Sequence, residues 1–168
     1  VPTEAPSVSI LSPEVGASYY SDQLIPFHAT VGDAEDGTDS LVSTWTSSLD
    51  GELVLDTVAD SSGELEDYGY LSEGQHAIEL TVLDSGGKTS SESVVVQVGG
   101  PNSEPSCGIL SPESGSGAVS GESVVFIASA LDADISATLL SVELTSDKDG
   151  LLGSPVPTSS GEITLSVS

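Results

Sequence analysis

The five residues ILSPE at Ile10–Glu14 occur again at Ile109–Glu113, and the chain around them repeats as well. Displaced by 99 residues, from Ile10 to Ile109, APSVSILSPEVG (Ala5 to Gly16) falls on EPSCGILSPESG (Glu104 to Gly115). PFHATVGDAED (Pro26 to Asp36) likewise falls on VFIASALDADI (Val125 to Ile135), and TSSLDG (Thr46 to Gly51) on TSDKDG (Thr145 to Gly150). One deletion later SSGEL (Ser61 to Leu65) meets SSGEI (Ser159 to Ile163). Self-similarity of this kind means one structural unit used twice. It predicts two small modules, residues 1–99 and 106–168, joined by a linker over 100–105 that carries Pro101 and Pro105 and restricts bending. The second copy reaches only the residue equivalent to Tyr70, so nothing in it matches Leu71–Val98; a continuing chain or another polypeptide would have to supply those strands.

The first copy reads as short strands between turn signals, with no helical period. Candidates are Ser7–Leu11, Leu24–Val31, Leu41–Ser47, Glu52–Asp56, Glu64–Tyr68, His76–Leu83 and Ser93–Val98. Ile78, Leu80 and Val82 alternate with Glu79 and Thr81, the period of a sheet with one wet face. DSGGK (Asp84 to Lys88) supplies a hairpin turn whose glycines tolerate positive φ. Seven short strands fit an all-β fold, a pair of tandem immunoglobulin-like Greek-key β-sandwiches with the second incomplete at its C-terminal end. Trp45, the only tryptophan, falls in the third strand, where such sandwiches bury a large aromatic; Leu144 takes its place in the second copy.

The surface this fold presents is acidic: 27 Asp and Glu stand against Lys88 and Lys148, a formal net charge of −25. Such a chain repels nucleic acid and anionic lipid. Hydrophobic residues, at 37%, are mostly Val, Leu and Ile in periodic runs, which argues for a folded protein rather than a disordered acidic one. No run approaches the roughly 18 apolar residues of a membrane span, so no membrane insertion is expected in this segment, and any export signal or anchor would lie outside it.

Together S-P-E-x-G, D-x-[DE], W-T-S-x-L-D-G and S-E-G-x-H-x-I-x-L-T-V-x-D-S-x-G resemble the tandem Ig-like repeats, close to the PKD and cadherin-like groups, of large secreted or surface-anchored bacterial and archaeal proteins. The resemblance implies an extracellular location and neighbouring repeats or subunits of the same protein as partners. In related repeats a P-S-C-x-I segment accompanies a cysteine near the last strand, so Cys107 in PSCGI would await a disulfide partner absent from this chain; the alternative is a buried free thiol.

Calcium is the one cofactor the pattern raises. It takes six to eight oxygen ligands, and closely spaced carboxylates on a loop can converge on one ion. GDAEDGTD (Gly32 to Asp39) follows the second strand, and LDADIS (Leu131 to Ser136) is its counterpart. The cadherin-like part of the resemblance implies a ligand set drawn from Glu14, Asp33, Glu35 and Asp36, and from Glu113, Asp132 and Asp134. The rival expectation is a solvated acidic turn. Asp50, Asp84 and Asp149 sit where a carboxylate caps turn N–H groups.

Catalysis has little support. His28 and His76 are the only histidines, neither lies in H-E-x-x-H, and no G-x-S-x-G elbow or phosphate-cradling loop occurs. His28 is expected to pack within its strand and His76 to hydrogen-bond backbone. The expected function is a non-catalytic extracellular structural or adhesive module, a rod-like segment of a larger cell-surface or filament protein. Two alternatives stand beside it. One is a filament subunit whose second sandwich is completed by a neighbour's strands. The other is a glycan-binding module, for which Tyr19 and Tyr20 would form a small patch although aromatics are only 4% of the chain.

Overall fold

The computed structural model describes residues 4–56 and 58–168. The chain divides into two compact units between Asn102 and Ser103.

The first unit is a sandwich of two sheets. Strands β1 (Ser7–Ser12), β3 (Ile25–Gly32) and β6 (Glu64–Gly69) form one, in the order β1-β3-β6 and antiparallel throughout. The other has five strands in the order β2-β8-β7-β4-β5: β2 (Ser18–Tyr20), β4 (Val42–Ser47), β5 (Gly51–Glu52), β7 (Gly74–Leu83) and β8 (Thr89–Gly99). Period-2 patterning sets which side chains meet. On β3, Ile25, Phe27, Ala29 and Val31 are buried while the residues between them are only partly so. Ile78, Leu80 and Val82 of β7 face them with Val94, Val96 and Val98 of β8. Trp45 lies edge-on to Phe27, ring centroids 5.4 Å apart at 75°. Each large apolar side chain buried here contributes about 1.5–3 kcal/mol relative to exposure.

Two features depart from the sequence expectation. The chain leaves β1 at Pro13 and crosses to the opposite sheet, where β2 pairs with β8 in parallel, Ser18 opposite Gln97; a three-residue strand is too short for its period to show. The strand expected over Glu52–Asp56 is paired only at Gly51–Glu52. The Leu53 N–H still donates to the Trp45 carbonyl of β4 at 2.9 Å; beyond it the chain peels away, and the Asp56 N–H ends on the Asp67 carboxylate at 2.6 Å, beside β6.

In the second unit β9 (Ser106–Ser111), β10 (Val124–Leu131) and β13 (Glu162–Val167) form an antiparallel sheet, and β11 (Leu144–Ser146) with β12 (Gly150–Gly153) a hairpin. Its buried core is Ala128, Ala130 and Ile163, with Leu140 and Val142 packed against them. The two units share local devices. Ser12–Pro13 and Ser111–Pro112 are both cis. Gly63 and Gly161 both have positive φ, and both accept from the edge of the neighbouring strand, Val31 N–H at 2.8 Å and Ala130 N–H at 2.9 Å. A Cβ at either would meet a backbone carbonyl oxygen, at 2.2 Å and 2.5 Å respectively, so only glycine fits.

Candidate functional site

The acidic loop after β3 is organised by its own carboxylates. Asp33 Oδ1 accepts the N–H groups of Glu35 (2.8 Å) and Asp36 (2.9 Å). These two backbone donors hold the Asp33 carboxyl below the usual range. The Glu35 carboxylate accepts the Glu4 N–H at 3.1 Å, and Asp36 takes both the N–H (2.8 Å) and hydroxyl (2.9 Å) of Ser85 in the β7–β8 turn.

The loop after β10 repeats the arrangement. Asp132 Oδ1 accepts from Asp134 (2.7 Å) and Ile135 (2.9 Å), and Asp134 accepts the Ser103 N–H at 2.6 Å. In both units, then, the second acid of the D-x-[DE] motif grips the backbone just ahead of the first strand, at Glu4 in one and Ser103 in the other. Ile135 replaces Asp36, so the third contact exists only in the first unit.

Glu14 and Glu113 lie elsewhere. β1 runs antiparallel to β3 with Ser7 opposite Gly32, so Glu14, beyond the end of β1, is at the far end of the sheet from Asp33. With Ser106 opposite Leu131, the same holds for Glu113 and Asp132. A six-residue strand spans about 20 Å, so within either unit one ion cannot take ligands from both places. Among the described residues, no three or more His, Cys, Asp or Glu side chains converge in a way that could hold a metal ion.

His76 is fully buried at the start of β7. Ser47 Oγ already accepts the N–H groups of Leu49 and Asp50, both at 3.2 Å, so its own proton goes to His76 Nδ1 at 2.7 Å. His76 Nε2 therefore carries the ring proton and donates it to the Ser72 carbonyl at 2.7 Å. Asp50 closes the circuit: its carboxylate accepts the N–H (3.0 Å) and the hydroxyl of Ser72 and lies 3.7 Å from His76 Nδ1. Burial opposes the charge on Asp50, but the hydroxyl and N–H of Ser72 outweigh it and hold its pKa below the usual range. This Ser–His–Asp constellation has the members of a nucleophilic triad, yet the imidazole has no solvent-facing nitrogen and both its nitrogens are taken. It joins the β4–β5 turn to the approach of β7.

Sequence reasoning anticipated the backbone bond of His76 but missed Ser47 and Ser72; a serine three residues ahead of the aspartate in S-S-L-D was the available signal. Ser146 makes the same turn in the second unit, accepting from Lys148 and Asp149 at 3.2 Å each. Asp84 is buried and accepts the Lys88 N–H at 2.8 Å, a turn cap as expected. The His28 ring is partly buried with Nε2 unpartnered.

Tyr19 does not form an open patch with Tyr20. It packs against the core of the first unit, and burial, then the Glu14 charge, raises its pKa. The exposed tyrosines are Tyr68 and Tyr70. Cys107 is a free thiol on β9 and is exposed, not buried in an apolar strand. Opposite Ala130 in the ladder, it sits with Ile109 on the inner side of its sheet.

No family model and no curated protein sequence matches the chain. Among solved structures, the fibronectin(III)-like modules of Clostridium thermocellum CbhA are similar over 95% of this chain and 77% of theirs, with a TM-score of 0.52 and 19% identity. A chimeric titin Z1Z2 carrying an exogenous peptide from decorin is similar over 99% of this chain and 83% of its own, with a TM-score of 0.47 and 11% identity. At 19% identity the CbhA likeness concerns architecture alone, and with the two-sheet topology of the first unit it gives the chain the fold of an immunoglobulin-like or fibronectin III-like β-sandwich.

Proposed function

We propose that the chain is a non-catalytic spacer of an extracellular or cell-surface protein, built to hold other parts apart under tension. The observation that carries this reading is the parallel pairing of β2 with β8. The Gly16 N–H donates to Val95 (2.8 Å), Gln97 to Ala17 (3.0 Å) and Ser21 to Gly99 (3.1 Å), so the strand near the entry of the unit is bonded directly to the strand at its exit. Because the two run in the same direction, pulling entry and exit apart loads all these bonds together in shear; an antiparallel pair pulled at its adjacent ends would open one bond at a time. β1 is held as well, its Ile10 N–H bonded to the Glu92 carboxylate of β8 at 2.6 Å.

The remaining polar groups support the same reading. Asp33, Glu35, Asp36, Asp50 and Asp84 each satisfy N–H groups of turns or entering chain, which stiffens loops and leaves little for chemistry. The net charge of −25 keeps such a spacer soluble and apart from its copies. The extracellular setting rests on the resemblance of the S-P-E-x-G and S-E-G-x-H motifs to those of bacterial and archaeal surface repeats.

The test is single-molecule extension of the first unit tethered at Glu4 and Asn102. All-or-none rupture in one step is expected; gradual lengthening at low force would rule the reading out.

A further inference from the structure

The inner face of the second unit is uncovered. Val8 and Ile10 of β1 pack against the core of the first unit, where β7 and β8 supply the opposing layer. Their counterparts are Cys107 and Ile109 of β9; the thiol is exposed and Ile109 is 59% exposed. Phe27 is 1% exposed, whereas its counterpart Phe126 is only partly buried and lines an open cleft with Val124, Leu152 and Val167. The backbone is unpartnered on the same side. β4 pairs with β7 along Val42–Ser47, but its counterpart β11 pairs with β12 alone among the described residues. An apolar face beside an open strand edge recruits extended chain.

We propose that this face is a docking site for one β-hairpin of the same chemistry as β7–β8, contributed by residues outside 1–168. The first unit says what such an occupant must be: two strands with aliphatic side chains at alternate positions, the first antiparallel to β11. Register follows from β4–β7, where Trp45 faces Leu80 and Ser47 faces Ile78. The occupant's equivalents of Leu80 and Ile78 then fall opposite Leu144 and Ser146. Ser146 accepts two turn N–H groups as Ser47 does, but its own hydroxyl donates to the Asp149 carboxylate at 3.3 Å, so the occupant needs no acceptor at its equivalent of His76.

Cys107, the only cysteine, reports occupancy of the face. The probe is a synthetic peptide of residues 71–99 added to the whole 168-residue protein, with the rate of Cys107 alkylation as readout. A slowing of about tenfold or more at saturation is expected, and none with a control peptide carrying Ser at 78, 80 and 82. Since an isolated hairpin is marginally stable in water, a second protein carries residues 71–99 fused after Ser168, and the same protection is expected there. Alkylation as fast as in the unmodified protein in both arms would overturn the proposal. Protection of Cys107 in the protein alone, growing with concentration alongside dimer formation, would also overturn it, because a second copy would then be the occupant. Neither result bears on the β2–β8 pairing of the first unit, so the spacer reading stands or falls separately.

Discussion

Ser47 Oγ and His76 Nδ1 lie 2.7 Å apart, both side chains buried, and the bond joins residues 29 apart in sequence. Removing the imidazole leaves the buried Ser47 hydroxyl proton without an acceptor and the Ser72 carbonyl to water, and an unsatisfied buried group costs about 1–3 kcal/mol. His76→Phe should therefore destabilise the first unit by about 2–4 kcal/mol in denaturant titration. Ser47→Ala added to it should cost less than the sum of the two single changes. Strict additivity would mean that the bond is not formed in solution.

Gly63 and Gly161 should both resist substitution. Alanine at either combines a left-handed backbone, about 1–2 kcal/mol, with a clash against a neighbouring carbonyl that typically adds about 1–3 kcal/mol. Gly16, also at positive φ but with open space around its Cβ position, should lose less as Gly16→Ala. Equal thermal shifts for Gly16→Ala and Gly63→Ala would contradict the close approach.

The acid dependence of stability should run through Asp33, Asp50 and Asp60. The Ser62 hydroxyl, the Glu64 N–H and the Ser62 N–H lower the pKa of Asp60, as backbone donors lower that of Asp33. A carboxyl whose folded pKa is depressed adds stability above its unfolded value, about 3.9, and loses it as pH falls through the folded value. The melting-temperature gap between the wild type and Asp60→Ala should be full above about pH 5 and narrow below about pH 4. A gap independent of pH would show that the charge is not involved. Thr158 holds the equivalent turn of the second unit through its hydroxyl, bonded to the Glu162 N–H at 3.0 Å, so Thr158→Ala should show no such narrowing.

Ser43 is buried on the inner face of β4 with its hydroxyl unpartnered. A polar group desolvated without a hydrogen bond is a net cost, so Ser43→Ala should stabilise the first unit by about 0.5–1.5 kcal/mol. The second copy already carries Val142 at this place. A loss of stability on Ser43→Ala would mean that the hydroxyl has a partner in solution.

How much of this was legible in the sequence depended on how far each signal reached along the chain. β7 was readable because Ile78, Leu80 and Val82 alternate over enough residues to fix a face, and Trp45 because a lone large aromatic in a strand belongs in a core. β2 was not readable: three residues carry no period, and its parallel partner is almost eighty positions away. β5 was overextended because Leu53 and Leu55 do pack on the core, but the pairing with β4 ends at the Leu53 N–H, which reaches Trp45, and Leu55 packs from a segment beyond it. The D-x-[DE] loops were found as acid clusters, while their work of gripping Glu4 and Ser103 depends on where antiparallel strands bring the chain back. That same return separates Glu14 from Asp33, which spacing alone could not show.

The spacer reading turns on the β2–β8 pairing, and Gln97→Pro probes it most directly. Proline at this position deletes the N–H that reaches Ala17, the residue just ahead of β2. In single-molecule extension between Glu4 and Asn102, the force at which the first unit ruptures should fall clearly below that of the wild type. An unchanged rupture force in a folded Gln97→Pro protein would contradict the account.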